Sequence, residues 1–203
     1  MFAIVESGSI TSMPNGNKGV QIGDIKHPAS IFTLWTESER NAIGVYTVEI
    51  DETNKKDEEY YINTNITYSY DSSANKVKGV YGSATAKAMA DSDAVDEDGN
   101  KLKDENGNQI INKGLKTIKK REIDAQCADL LAPSDWMYIK AGEEGVSMDS
   151  GWKTGRASVR TKCNSMQTQI DNAADVDALA ALFTYTTTDG VTSRPLGEFP
   201  IKE

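Results

Sequence analysis

Three pieces of one stretch decide the fold: Gly114-Leu115-Lys116-Thr117-Ile118, Leu130-Leu131-Ala132-Pro133-Ser134-Asp135-Trp136, and Gly151-Trp152-Lys153-Thr154-Gly155-Arg156 with its continuation to Ile170. Leu115, Ile118, Ile123, Cys127, Leu130 and Leu131 recur at helical spacing, which predicts a helix over 115–131 with those side chains inward. Pro133 ends it, because proline has no N–H to give to the ladder. Trp152, Val159, Cys163, Met166 and Ile170 form a second narrow apolar stripe, so another helix starts near Ser150. The segment between is read as a loop in which Ser134 or Asp135 caps a turn and Trp136 folds back over the two-helix core. Both cysteines and two of the three tryptophans lie in this stretch.

Toward the C-terminus, Asp175 caps a last helix with Val176, Leu179, Ala180 and Phe183 on one face. From Thr184 onward Gly190, Pro195, Gly197 and Pro200 rule out a helix, and an extended arm is expected. Outward in the other direction lies an eight-residue repeat. Asp96-Glu97-Asp98-Gly99-Asn100-Lys101-Leu102-Lys103 is followed by Asp104-Glu105-Asn106-Gly107-Asn108-Gln109-Ile110-Ile111. Each copy has a Gly turn and then an apolar position, the chemistry of a hairpin-like acidic arm or a solvated loop.

The N-terminal part reads as β-rich. Phe2 to Val5 and Val45 to Ile50 are short apolar or β-branched runs, and Val20, Ile22 and Ile25 suggest strands around Gly23. Thr36 and Glu39 have capping-box spacing, Trp35 precedes them as a hydrophobic staple, and Gly44 supplies the stop. A short helix over 37–43 follows. Tyr60 to Tyr70 alternates with period two, predicting one strand of about eleven residues that pairs with Lys76 to Tyr81 as a hairpin. The fold class is therefore α+β: a β-rich N-terminal domain with one short helix (1–88), an acidic hairpin-like arm (89–113), and a C-terminal antiparallel helical bundle with an extended tail (114–203).

Composition narrows the chemistry. The 203 residues carry 31 acids and 22 bases, a net charge of −9. A phosphate-binding surface needs a basic patch, so nucleic acid is not expected as a partner. Lys113 to Arg121 holds five basic residues, which a helix would place on a solvated face. One histidine, His27, and two cysteines, Cys127 and Cys163, fall short of four zinc ligands. Reduced core thiols are the expectation for the cysteines, with a single bridge as the alternative. No signal peptide and no membrane span are read, so synthesis and use without export across a membrane are expected.

With Gly99 at position six of a calcium loop, Asp96, Asp98 and Glu105 fall in register, but position one is Ala94 and flanking helices are missing. A calcium-dependent host-binding module over 91–108 stays as a third hypothesis. No Gly-x-Ser-x-Gly elbow, phosphate loop or sugar platform frames a nucleophile or a carboxylate pair, so no catalytic residue, cofactor or metal is assigned. Arg156 and Arg160 share a helix face with Trp152 one turn back, and Trp and Arg are favoured contact residues. The competing reading puts Trp152 in the core and pairs the arginines with Asp135, Glu143 or Glu144.

Leu130, Leu131, Ser134, Asp135 and Trp136, followed by Trp152, Arg156, Val159 and Arg160, resemble the tail assembly chaperone and tail-fibre assembly-like proteins of tailed bacteriophages. Gly155 stands where that family carries an aromatic. Pro28 to Tyr46, with Trp35, Glu39 and Gly44, is similar to a segment of phage tail and fibre accessory proteins. The resemblance implies a non-enzymatic role in the virion tail, in multiple copies of a symmetric assembly, after synthesis in the host bacterial cytoplasm. It implies contact with other tail or tail-fibre proteins through Trp136, Trp152, Arg156 and Arg160. The alternative it implies is a soluble assembly chaperone that leaves before the particle matures.

Overall fold

The computed structural model describes residues 1–200, and the fold is α+β. The chain divides into two compact units, Met1–Thr85 and Ala86–Glu203. In the first, β1 (Phe2–Glu6), β2 (Ser9–Ser12), β3 (Val20–Ile22) and β4 (Ile25–His27) precede two short helices, α1 (Ile31–Leu34) and α2 (Glu37–Ala42). Then come β5 (Val45–Asp51), β6 (Tyr61–Ile62), β7 (Ile66–Asp71), β8 (Lys76–Tyr81) and β9 (Thr85–Ala86). Five strands form one sheet in the order β2-β1-β5-β8-β7, whose edge strands β2 and β7 approach each other and nearly close it. All neighbours are antiparallel except β5 and β8, which run parallel with Val48 opposite Val77.

Both faces of this sheet are covered, and the period-two alternation of strand side chains explains how. Ala3, Tyr46, Val48 and Val77 pack on one side with Tyr68 and Tyr70. Ile4 and Val45 point the other way, onto Ile31 and Phe32 of α1. The capping box forms as expected: Thr36 Oγ1 accepts from Glu39 N–H at 3.3 Å, and the Glu39 carboxylate accepts from Thr36 N–H at 2.8 Å. Gly44 ends the helix at φ +80°, and a Cβ there would sit 2.6 Å from the Val5 carbonyl oxygen, so only glycine fits. Tyr46 Oη and Tyr70 Oη both donate to Asn75 Oδ1, each at 2.9 Å, and so pin the β7–β8 turn. Burial, with the Tyr70 hydroxyl second, pushes the Tyr46 phenol up to about 12.

The single strand expected over Tyr60 to Tyr70 is corrected to two, β6 and β7. The break has a local cause. Asn65 adopts φ +63°, and the Asn63 side chain bonds both backbone groups of Lys56, at 2.9 and 2.6 Å. A side chain that satisfies the backbone elsewhere competes with the ladder.

In the second unit, β10 (Ser92–Asp93) pairs antiparallel with β11 (Ile111–Asn112), and the octad repeat lies between them. The two copies fold alike. Asp96 Oδ1 accepts from the N–H of Asp98 and Asn100, and Asp104 Oδ1 from the N–H of Asn106 and Asn108, all within 2.8–3.0 Å. These backbone bonds hold both carboxyls below the usual range. Eight-residue spacing also brings three backbones into a closed ring. Ala94 N–H donates to Ile110 O, Ile110 N–H to Leu102 O, and Leu102 N–H to Ala94 O, at 2.8–2.9 Å.

The helices are α3 (Leu115–Leu131), α4 (Asp135–Glu143), α5 (Ser150–Asn172) and α6 (Val176–Phe183). α3 and α5 pack antiparallel, as the cross-links show: Lys120 Nζ meets Asp171 Oδ1 at 2.8 Å at one end, and Arg156 Nη1 meets Leu131 O at 2.7 Å at the other. Their seam holds Leu115, Lys119, Ile123 and Cys127 against Val159, Cys163, Met166 and Ile170. Each aliphatic side chain fully buried there contributes about 1.5–3 kcal/mol. The expected inward set of α3 is corrected at Ile118 and Leu130, which are exposed, while Leu131 is half-buried. The buried stripe runs strictly every fourth residue, so Lys119 takes the place given to Ile118. Its ammonium pairs with Glu122 at 2.9 Å and lies 4.8 Å from the centre of the Phe183 ring.

The N-termini are capped where the sequence places a carboxylate. Asp149 Oδ1 accepts from Gly151 and Trp152 N–H, and Asp175 Oδ1 from Ala178 N–H. The tail is non-helical, as expected, and carries more order than a plain arm. β12 (Thr186–Thr188) and β13 (Val191–Ser193) form a hairpin. Beyond it Leu196 is fully buried, its N–H donating to Leu182 O at 3.0 Å and its carbonyl accepting from Lys162 Nζ at 2.8 Å.

Candidate protein-contact surface

The segment read as a loop after Pro133 is corrected to a 3-10 turn at Ala132–Ser134 and the helix α4. Asp135 in the first turn complements the helix dipole, and Lys140 pairs with Glu144 at 3.5 Å four residues on. Sequence thus supports the helix locally, yet none of its residues is buried. Trp136 is 56% exposed, Tyr138 70%, Ile139 61% and, just beyond the helix, Val146 57%. The expectation that Trp136 covers the two-helix core is overturned. The reason is that another side chain closes the end of α3.

That side chain is Arg156. Its guanidinium donates to Leu131 O at 2.7 Å, to Ser134 Oγ at 2.6 Å and to Asp135 Oδ1 at 2.7 Å. One planar fork therefore satisfies an orphan carbonyl at the helix end, a buried hydroxyl and a carboxylate. Arg160, one turn later on α5, is exposed and has no ion-pair partner among the described residues. Of the two arginines assigned to contact, Arg156 is thus committed to holding α4 against α5, and Arg160 is unpaired among the described residues. Trp152 is half-buried, on the edge of the α5 stripe.

Two clefts follow from this arrangement. One, of about 470 Å³, is lined by Tyr138, Val146 and Met148 together with Lys153, Arg156 and Arg160. The other, of about 340 Å³, holds Trp136, Met137 and Trp152 and shares Val146 and Met148 with the first. The structure thus places both tryptophans on one cleft and both arginines on the next, and Trp152 and Arg156 also meet in a third pocket beside Leu130 and Leu131. Sequence reasoning missed Tyr138, Ile139, Val146, Met148 and Lys153. A signal was available: Trp136-Met137-Tyr138-Ile139 is a run of four apolar residues that belongs to neither core stripe.

Elsewhere the reactive groups serve the fold. Cys127 and Cys163 are reduced and buried in the seam. Burial first, and the neighbouring Cys127 thiol second, push Cys163 up to about 12, where no thiolate forms at neutral pH. His27 is half-buried edge-on to Trp35 at 6.0 Å. Among the described residues no group of three or more His, Cys, Asp or Glu side chains is placed to hold a metal ion, and no helix is long and apolar enough to cross a membrane. Comparison of the chain with protein-family models, with curated proteins and with solved structures finds no match.

Proposed function

We propose that this chain is a non-enzymatic adaptor of a bacteriophage tail, joining fibre to tail or one tail protein to another. One observation carries the reading. α4 leaves Trp136, Tyr138 and Ile139 more than half exposed, while the α3–α5 seam is built from other side chains. Large apolar side chains left exposed together on one helix mark a protein contact. The resemblance of Leu130–Trp136 and Trp152–Arg160 to phage tail proteins supplies the kind of assembly.

Quantitative mass spectrometry of purified virions tests it. The adaptor is present in the particle in fixed ratio to the tail tube or fibre protein. A chain abundant in infected cells, bound there to a tail protein and missing from virions, is the soluble assembly chaperone instead.

A further inference from the structure

The second unit carries two surfaces that match each other in chemistry and are not paired within one copy. We infer that the α4–α5 cleft receives the acidic octad arm of a second copy of this chain. This rests on reading the cleft as a protein contact.

The cleft side is apolar with unbalanced positive charge. Asp135 is engaged with Arg156, Glu144 with Lys140 and Asp149 with the N-terminus of α5, and the exposed Glu143 does not line the cleft, whose walls carry three cations and no carboxylate. Lys153 and Arg160 remain exposed and without an ion-pair partner among the described residues, beside exposed Tyr138 and Val146. In a chain of net charge −9, two uncommitted cations flanking exposed aromatic and aliphatic groups form a locally inverted field.

The arm is its complement. Residues 95–110 hold five acids against two lysines. Asp96 and Asp104 are tied to their own turns, and Lys101 is held by Asp93 at 2.5 Å. Glu97, Asp98 and Glu105 are exposed and have no ion-pair partner among the described residues. Val95, Leu102 and Ile110 are exposed among them. The arm thus offers what the cleft lacks, carboxylates interleaved with aliphatic side chains, on a scaffold that backbone hydrogen bonds already fix. Preformed shape lowers the ordering cost of binding. The contact is heterologous, arm to cleft, so repetition builds a ring or an open filament.

Sedimentation velocity on the full chain tests the inference. The wild-type protein forms dimers and larger species as concentration rises, and raising salt from about 50 to about 500 mM weakens association at least about tenfold. Lys153→Glu with Arg160→Glu reverses the cleft, and Glu97→Lys with Asp98→Lys and Glu105→Lys reverses the arm. Each variant, checked for wild-type circular dichroism, is monomeric alone, and an equimolar mixture of the two associates again because each arm meets an opposite cleft.

A monomeric wild-type chain at about 100 µM and low salt overturns the inference, since a specific contact of this kind is populated there. Association that survives either reversal, or a mixture that stays monomeric, overturns it as well. None of these results bears on whether the chain is found in virions, so the adaptor reading stands or falls separately.

Discussion

Helices α4 and α5 lie side by side in the chain and have opposite fates. α5 buries Val159, Cys163, Met166 and Ile170 along one stripe, whereas no residue of α4 is fully buried. Yet α4 holds the denser apolar run, Trp136-Met137-Tyr138-Ile139. The difference teaches that hydrophobicity alone does not select the core. What selects it is periodic placement opposite a partner with matching periodicity, which α3 supplies to α5 and no element among the described residues supplies to α4. The seam holds the buried side chains of the helical pair, and α4 keeps its apolar side chains at the surface.

The largest expected effect sharpens this contrast directly. Ile123→Ala or Met166→Ala empties space at a fully buried seam position and costs about 2–5 kcal/mol. Tyr138→Ala changes stability by no more than about 0.5 kcal/mol. Denaturant unfolding followed by circular dichroism measures both, and an equal loss for Tyr138→Ala would break the comparison.

Next in size is the pair of arginines. Arg156→Ala removes the donor to Leu131 O, Ser134 Oγ and Asp135, with a cost of about 1–3 kcal/mol. Arg160→Ala leaves stability within about 0.5 kcal/mol. Amide exchange along α4 locates the first effect, because protection there drops only when Arg156 is lost.

The thiols probe the seam without mutation. At pH 8 a Cys163 thiol held up to about 12 exposes roughly one thiolate in ten thousand. An aromatic disulfide reagent therefore reacts slowly with the folded chain and fast with both cysteines in guanidinium. Rapid reaction in the folded state would mean that the seam opens as easily as α4.

The smallest effect lies at the start of α3. The Asp91 carboxylate pairs with Lys113 Nζ at 2.9 Å and accepts from Gly114 N–H at 2.9 Å, and it is held down to about 2, the Lys113 hydrogen bond being the main cause. A lowered folded pKa stabilises the native state above the unfolded value, about 3.9, and that contribution is lost as pH falls from there toward 2. Exchange at the first turn of α3 should rise over that interval, and Asp91→Asn should remove the pH dependence.

Much of the fold is legible residue by residue where the cause is local. The Thr36–Glu39 box, the Gly44 stop, the Pro133 break and the Asp175 cap each act within one turn of helix, so a few neighbouring side chains determine them. The candidate site is legible in half. Trp136, Trp152, Arg156 and Arg160 can be picked out by type and spacing. That Arg156 is committed to the α3 terminus, and Arg160 is unpaired among the described residues, follows only from where α3 ends relative to α5. Trp136 shows the same limit, since whether it covers a core or faces water depends on which side chain reaches the gap first.

From the residues alone come the α+β class, the ends of α3, the starts of α5 and α6 and the octad repeat, because short-range hydrogen bonds and periodicity encode them. Tertiary structure alone decided the parallel pairing of β5 with β8, the burial of Lys119 beneath Phe183 and the anchoring of Leu196 beside Lys162. Each of those joins residues far apart in the chain. Its energy depends on a shared geometry that no local window of residues contains.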